Sequence, residues 1–191
     1  NLAKDANVGL VEEDRILTIN AVPNDTQYAS QWHYYESTGG LRAPAAWDSA
    51  TGSGVVVAVL DTGYRPHADL NANILPGYDM ISDSFVGNDG NGRDSDARDP
   101  GDWVAVGACG SGYPEQAQDS SWHGTHVAGT IAAVANNSSG VIGGAFGAKI
   151  LPVRVLGVCG GYSSDIQEGM YWAAGLRQVN GVTNPNIAKV I

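Results

Sequence analysis

Basic side chains are scarce in this chain. Ten lysines and arginines stand against twenty aspartates and glutamates, for a net charge of −10. That balance argues against a nucleic-acid partner, which asks for a basic face. Long apolar runs are missing too. None approaches the ~18 residues that span a bilayer, so no membrane partner is expected. Only two cysteines occur, Cys109 and Cys159. They allow one disulfide, or they are two unrelated small apolar residues. If bridged, they close a loop of 159 − 109 = 50 residue steps, worth about 4 kcal/mol by the chain-entropy argument. A signal peptide is also lacking, since Asn1-Leu-Ala-Lys-Asp5 has no charged and then apolar start. The chain is therefore expected to begin inside a longer precursor. Its last residues, Ile187-Ala-Lys-Val-Ile191, read as the opening of a strand and are expected to continue.

What is present is turn-rich and globular. Glycine is abundant at 26, and tryptophan, tyrosine and valine are plentiful. The acidic balance suits a protein that holds cations. Ala43 to Trp47 reads as a short helix with Pro44 near its start. Val55 to Leu60 is a run of six apolar residues without alternation, as in a parallel strand covered on both faces. Ile74 to Asp79 reads as a further short strand. Glycine, asparagine and aspartate dominate from Asp83 to Asp102. Helical patterning returns over Trp122–Ala135. Lys149 to Leu156 reads as the next strand, with Pro152 placed where no ladder bond is needed. Ser163 to about Gln178 reads as a helix. Ser164 and Gln167 have capping-box spacing, and Ile166, Met170, Ala173 and Leu176 recur on one face. Strands alternating with helices imply an α/β fold with a doubly wound, mostly parallel sheet.

Two segments carry chemistry. Val55-Val-Val-Ala-Val-Leu-Asp61-Thr-Gly63 ends a strand on a carboxylate, at the strand end where open α/β sheets place their sites. His123-Gly-Thr-His-Val-Ala-Gly-Thr130 opens a small-residue helix with an imidazole. That helix has no polar face, so it is expected to be buried, with His126 structural inside it. Asp61 alone is a weak sign, because a turn-forming aspartate after a strand looks the same. Asp-Thr-Gly also occurs in aspartic proteases, which need an all-β setting and a second such element. The eight-residue histidine segment is far more specific.

Together these segments resemble the Asp and His segments of the subtilisin-like serine proteases, whose triad runs Asp, His, Ser along the chain. The resemblance covers about residues 22–191, the N-terminal half of such a peptidase domain. Residues 1–21 resemble the tail of an inhibitory propeptide, through Val11-Glu-Glu-Asp-Arg-Ile-Leu17. It implies a truncated subtilisin-like fold and a secreted serine endopeptidase, with polypeptide substrates and its own propeptide as partners. Asp61 orients His123, and His123 serves as general base towards a serine outside this chain. The chain alone is then inactive. A secreted setting favours the Cys109–Cys159 bridge. Val155 to Gly161 resembles the substrate-binding edge, with Leu156, Gly157, Gly160 and Gly161 as its contacts and β-augmentation as its mode. Asn136-Asn-Ser-Ser-Gly-Val141 resembles a calcium loop. The implied cofactor is Ca2+, held by the side chains of Asp25, Asp69 and Asn137 and by carbonyls near Val134, Ser139 and Val141. His67 takes a structural role in the phrase Arg65-Pro-His-Ala-Asp-Leu70.

Other readings compete. An Asn/Ser turn explains the loop at 136–141 without a metal. The stretch Asp89-Gly-Asn-Gly-Arg-Asp-Ser-Asp96 lacks EF-hand spacing, and Asp83, Asp89, Asp94 and Asp96 suit a second calcium site or a solvated loop equally. His123 and His126 have no acidic residue between them and no obvious third ligand, which weighs against a zinc hydrolase. A pseudoprotease or peptide-binding fragment without a nucleophile is the alternative to an enzyme.

Overall fold

The computed structural model describes residues 22–191. The segment read as a propeptide tail, residues 1–21, lies outside the described residues. Three parallel strands form the sheet: β1 (Val56–Asp61), β2 (Tyr78–Asp79) and β3 (Lys149–Arg154), in the order β1-β3-β2. Among the described residues, four α-helices accompany them: α1 (Ala43–Trp47), α2 (Ser84–Gly87), α3 (His123–Ala132) and α4 (Ser163–Ala173).

The unalternating apolar run of β1 has the expected cause. Ala58, Leu151 and Val153 meet Trp172 and Ala173 of α4 on one face. Val59 and Ile150 meet Ala128 and Ala132 of α3 on the other. Covering both faces lets every position be apolar. Pro152 lies inside the central strand. Its carbonyl faces Gly77, just ahead of β2, whose pairing with β3 begins only at Val153.

Two helices depart from the sequence reading. α4 ends at Ala173, and its cap residue is Tyr162, with no side-chain cap bond from Ser164. Its buried face is Asp165, Gly169, Trp172 and Ala173, whereas Met170 and Leu176 are exposed. Trp172 sets this face. Its ring is 1 % exposed and its Nε1 donates to the Val182 carbonyl at 3.1 Å. Asp165 can join it because Arg93 pairs with its carboxylate at 2.6 Å. α3 is buried on one face only, through Gly124, Ala128 and Ala132. His126, expected inside, is exposed. With His33 and His67 it lines a cavity of about 720 Å3. The strand expected over Ile74–Asp79 shrinks to β2, with Ile74 making a single bridge to Ile150.

Candidate active site

Asp61 is the last residue of β1, and His123 the first of α3. The sheet and the helix bring together groups 62 positions apart in the chain. His123 Nδ1 lies 2.9 and 2.8 Å from the two Asp61 carboxylate oxygens. With the proton on Nδ1, the ring donates to the carboxylate and leaves Nε2 for other work. The Asp61 side chain is one-tenth exposed and that of His123 nearly two-thirds, so the pair reaches from the core to the surface.

Local chemistry fixes this approach. A Cβ on Gly124 would lie 2.2 Å from the Gly63 carbonyl and 3.1 Å from Asp61 Cβ. Only glycine lets the helix begin so close to the strand end. Asp61 Oδ1 also accepts the Thr62 amide at 2.7 Å, and the Thr62 hydroxyl accepts the Gly124 amide at 3.1 Å. Trp122 precedes the helix with φ of 51° and no side-chain cap. Ser121 Oγ accepts the His123 amide at 3.3 Å, and Asp102 holds Ser121 through its amide at 2.6 Å and its hydroxyl at 2.7 Å.

His123 lines a cleft of about 420 Å3 together with Thr62, Leu156, Gly157 and Gly160. Val104, Tyr113 and Cys109 line it too, and the Cys109–Cys159 disulfide ties Cys109 to the Gly157–Gly160 turn. Past β3, the amides of Val155 and Leu156 both donate to the Asp61 carbonyl, at 2.9 and 3.2 Å. The segment does not continue as an extended edge. Cys159 and Gly160 take φ of 67° and 104°, and Gly157 and Gly160 close a turn with bonds of 2.7 and 3.0 Å. Gly161 stands outside the cleft and packs on the Val155 carbonyl.

A second cluster gathers Asp25, Asp69 and the loop after α3. Both carboxylates are 4 % exposed. Asn137 Nδ2 donates to Asp69 Oδ1 at 2.6 Å, and the Val141 amide donates to Asp69 Oδ2 at 2.9 Å. Asp25 Oδ2 accepts the Asn136 amide at 2.9 Å, whereas Asp25 Oδ1 is buried without a partner among the described residues. The Val134 amide donates to the Asp69 carbonyl, and the Ser139 amide to Asn137 Oδ1. His67 Nδ1 accepts the Asp69 amide at 3.1 Å, which holds the turn that delivers Asp69.

The acidic loop is occupied by the protein's own donors. Asp83 caps α2 by accepting the Phe85 amide at 2.8 Å. Asp89 pairs with Arg154 at 3.0 Å, Asp94 accepts from Asn91 and from the Asp96 amide, and Asp96 pairs with Arg98. The Arg98 bond also draws the Asp96 carboxyl below its usual range. Among the described residues, no group of three or more His, Cys, Asp or Glu is arranged to hold a metal ion. Thr62, Asp99, Asp102, Ser121 and Arg154 were not singled out in the sequence. Only Thr62 lies inside one of the two chemistry-bearing segments, directly after Asp61.

Comparison with known proteins places the chain in a family. The profile described as the Subtilase family matches residues 52–191. An extracellular protease of Xanthomonas campestris pv. campestris is 58 % identical over 191 residues, covering 100 % of this chain and 32 % of the relative. An extracellular basic protease of Dichelobacter nodosus is 52 % identical over 195 residues, with 100 % and 32 % covered. A solved structure of proteases from Pseudoalteromonas arctica superposes with a TM-score of 0.84 at 67 % identity, covering 88 % of this chain and 49 % of that one. The chain thus spans about a third of the length of the curated relatives it matches.

Proposed function

Because this chain belongs to the subtilase family, we propose that it supplies the Asp–His half of a secreted serine endopeptidase. The observation that carries this reading is the His123 ring, held through Nδ1 by Asp61 while it lines the cleft beside Leu156 and Gly157. Asp61 fixes the tautomer and offsets the charge that the ring gains. His123 Nε2 takes the proton of a serine hydroxyl supplied by the longer polypeptide. That oxygen adds to the peptide carbonyl, and the amine leaves with the proton returned from Nε2, giving an acyl-enzyme. Water then attacks by the same route in reverse.

The cleft binds polypeptide. Leu156 and the Gly157–Gly160 turn line it, and the disulfide ties that turn to Cys109, which lines it as well. Residues 1–21 are read as the end of an inhibitory propeptide that partners this domain before release. Secretion fits the disulfide and the relatives' description as extracellular.

Calcium suits the Asp25–Asp69 cluster. Two buried carboxylates, one oxygen of which has no partner among the described residues, beside a loop that offers carbonyl oxygens, are hard oxygen donors. Asp25, Asp69, Asn137 and the carbonyls of Val134, Ser139 and Val141 would hold the ion, which supplies no reacting group and ties the N-terminal arm to the end of α3. Chelation is expected to lower the melting temperature, and Asp69→Asn to remove that sensitivity. A chain that melts alike with and without chelator would rule the site out.

The function is tested on the longer polypeptide with casein as substrate. Hydrolysis lost in His123→Ala, together with covalent labelling by a serine-directed phosphonate, supports the endopeptidase. The 191-residue chain alone is expected to be inactive. Peptide binding without turnover or labelling favours the peptide-binding alternative instead.

A further inference from the structure

Asp99 is 1 % exposed, and among the described residues no cation pairs with its side chain. Its two oxygens accept only neutral donors: the Thr62 hydroxyl at 2.7 Å and the Gly101 amide at 2.8 Å. A buried carboxylate without a counter-charge is costly, so a fold keeps one where its hydrogen bonds do something specific. Here they converge on the proposed catalytic pair. The Gly124 amide donates to the Thr62 hydroxyl, and that hydroxyl donates to Asp99. Thr62 follows Asp61 in the chain, and Gly124 follows His123. One relay therefore spans the join between the end of β1 and the start of α3. The carboxylate at its end polarises both bonds in the same sense.

Neighbouring bonds tie the same turn to the helix. Arg65 Nη1 donates to the Asp99 carbonyl at 3.2 Å while the Arg65 amide donates to Thr125 Oγ1 at 2.8 Å. Asp102, three residues on, holds Ser121, which accepts the His123 amide. We propose that Asp99 is a positioning residue that acts through Thr62 to set the contact between Asp61 and His123. This inference rests on the endopeptidase reading above for its consequence in catalysis, and on geometry alone for the positioning itself.

Two measurements test it. In the 191-residue chain, the Nδ1 proton of His123 gives a low-field proton NMR signal while it is shared with Asp61. That signal is expected to survive Asp96→Asn, an exposed acid outside the relay, and to broaden away in Asp99→Ala. Asp99→Asn keeps the shape and loses the charge. It is expected to give an intermediate signal, and it decides the matter if the alanine variant fails to fold. In the longer polypeptide, Asp99→Asn is expected to lower kcat about ten-fold while KM stays within about two-fold, the mark of misplaced catalytic groups. An unchanged His123 signal, or an unchanged kcat, overturns the proposal. If the longer polypeptide never cleaves peptides, the endopeptidase reading fails while the NMR signal still decides whether Asp99 positions the pair.

Discussion

Asp61 and Asp79 are the same chemical group at the same level of the sheet. Both stand in register with Arg154, at the carboxyl ends of β1 and β2. Their partners divide them. Asp79 is 1 % exposed, pairs with the Arg154 guanidinium, and accepts the Ile81 amide at 2.8 Å. Asp61 makes no ion pair with Arg154 among the described residues and accepts the ring of His123 instead. Arg154 also donates through Nη1 to Asp89 and through Nη2 to the Gly87 carbonyl, and so ties the end of α2 to β3, while its Nε finds no partner among the described residues. A permanent cation locks one carboxylate into structure. A ring that gains charge only on protonation leaves the other open to chemistry. A carboxylate at a strand end therefore does not announce a site. Its partner does.

The widest separation between the two aspartates is expected in stability. Arg154→Met strands Asp79 and Asp89 without their cation and is expected to cost about 3–5 kcal/mol in denaturant unfolding. Asp61→Asn keeps an acceptor for Thr62 and is expected to cost only about 1 kcal/mol. Equal losses would erase the distinction between a structural and a chemical aspartate.

A smaller effect concerns pH. Burial pushes the Asp79 carboxyl up from 3.8 to about 7, against the pull of Arg154. Between those values the folded chain holds a proton that the unfolded chain has released. The contribution of this group to stability therefore falls as pH rises across that window. Asp79→Asn is expected to flatten the decline when melting temperatures are compared at the two ends of the window. A variant that keeps the wild-type slope would place the titration elsewhere.

The elements that carry the two motifs were legible because their signals are local. The apolar run of β1 and the small residues of α3 declared a covered strand and a helix packed close to it, and both stand at Val56–Asp61 and His123–Ala132. What stayed hidden depends on distant partners. Arg154 is an unremarked polar residue inside the expected strand, yet it is fully buried because Asp79 and Asp89 arrive from other segments. The α4 face was misplaced because Asp165 counts as surface until Arg93 meets it. α3 looked buried all round, since small apolar residues do not record which side meets the sheet. The turn at Gly157–Gly160 was missed because its glycines suit an open edge and a tight reversal equally.

The central claim is that Asp61 and His123 act as one unit. A double-mutant cycle in the longer polypeptide tests it most directly, with peptide hydrolysis measured for Asp61→Asn, His123→Ala and both together. The expected result is strong non-additivity, with the double variant no slower than His123→Ala alone. Losses that simply multiply would show two residues working independently and would contradict the account.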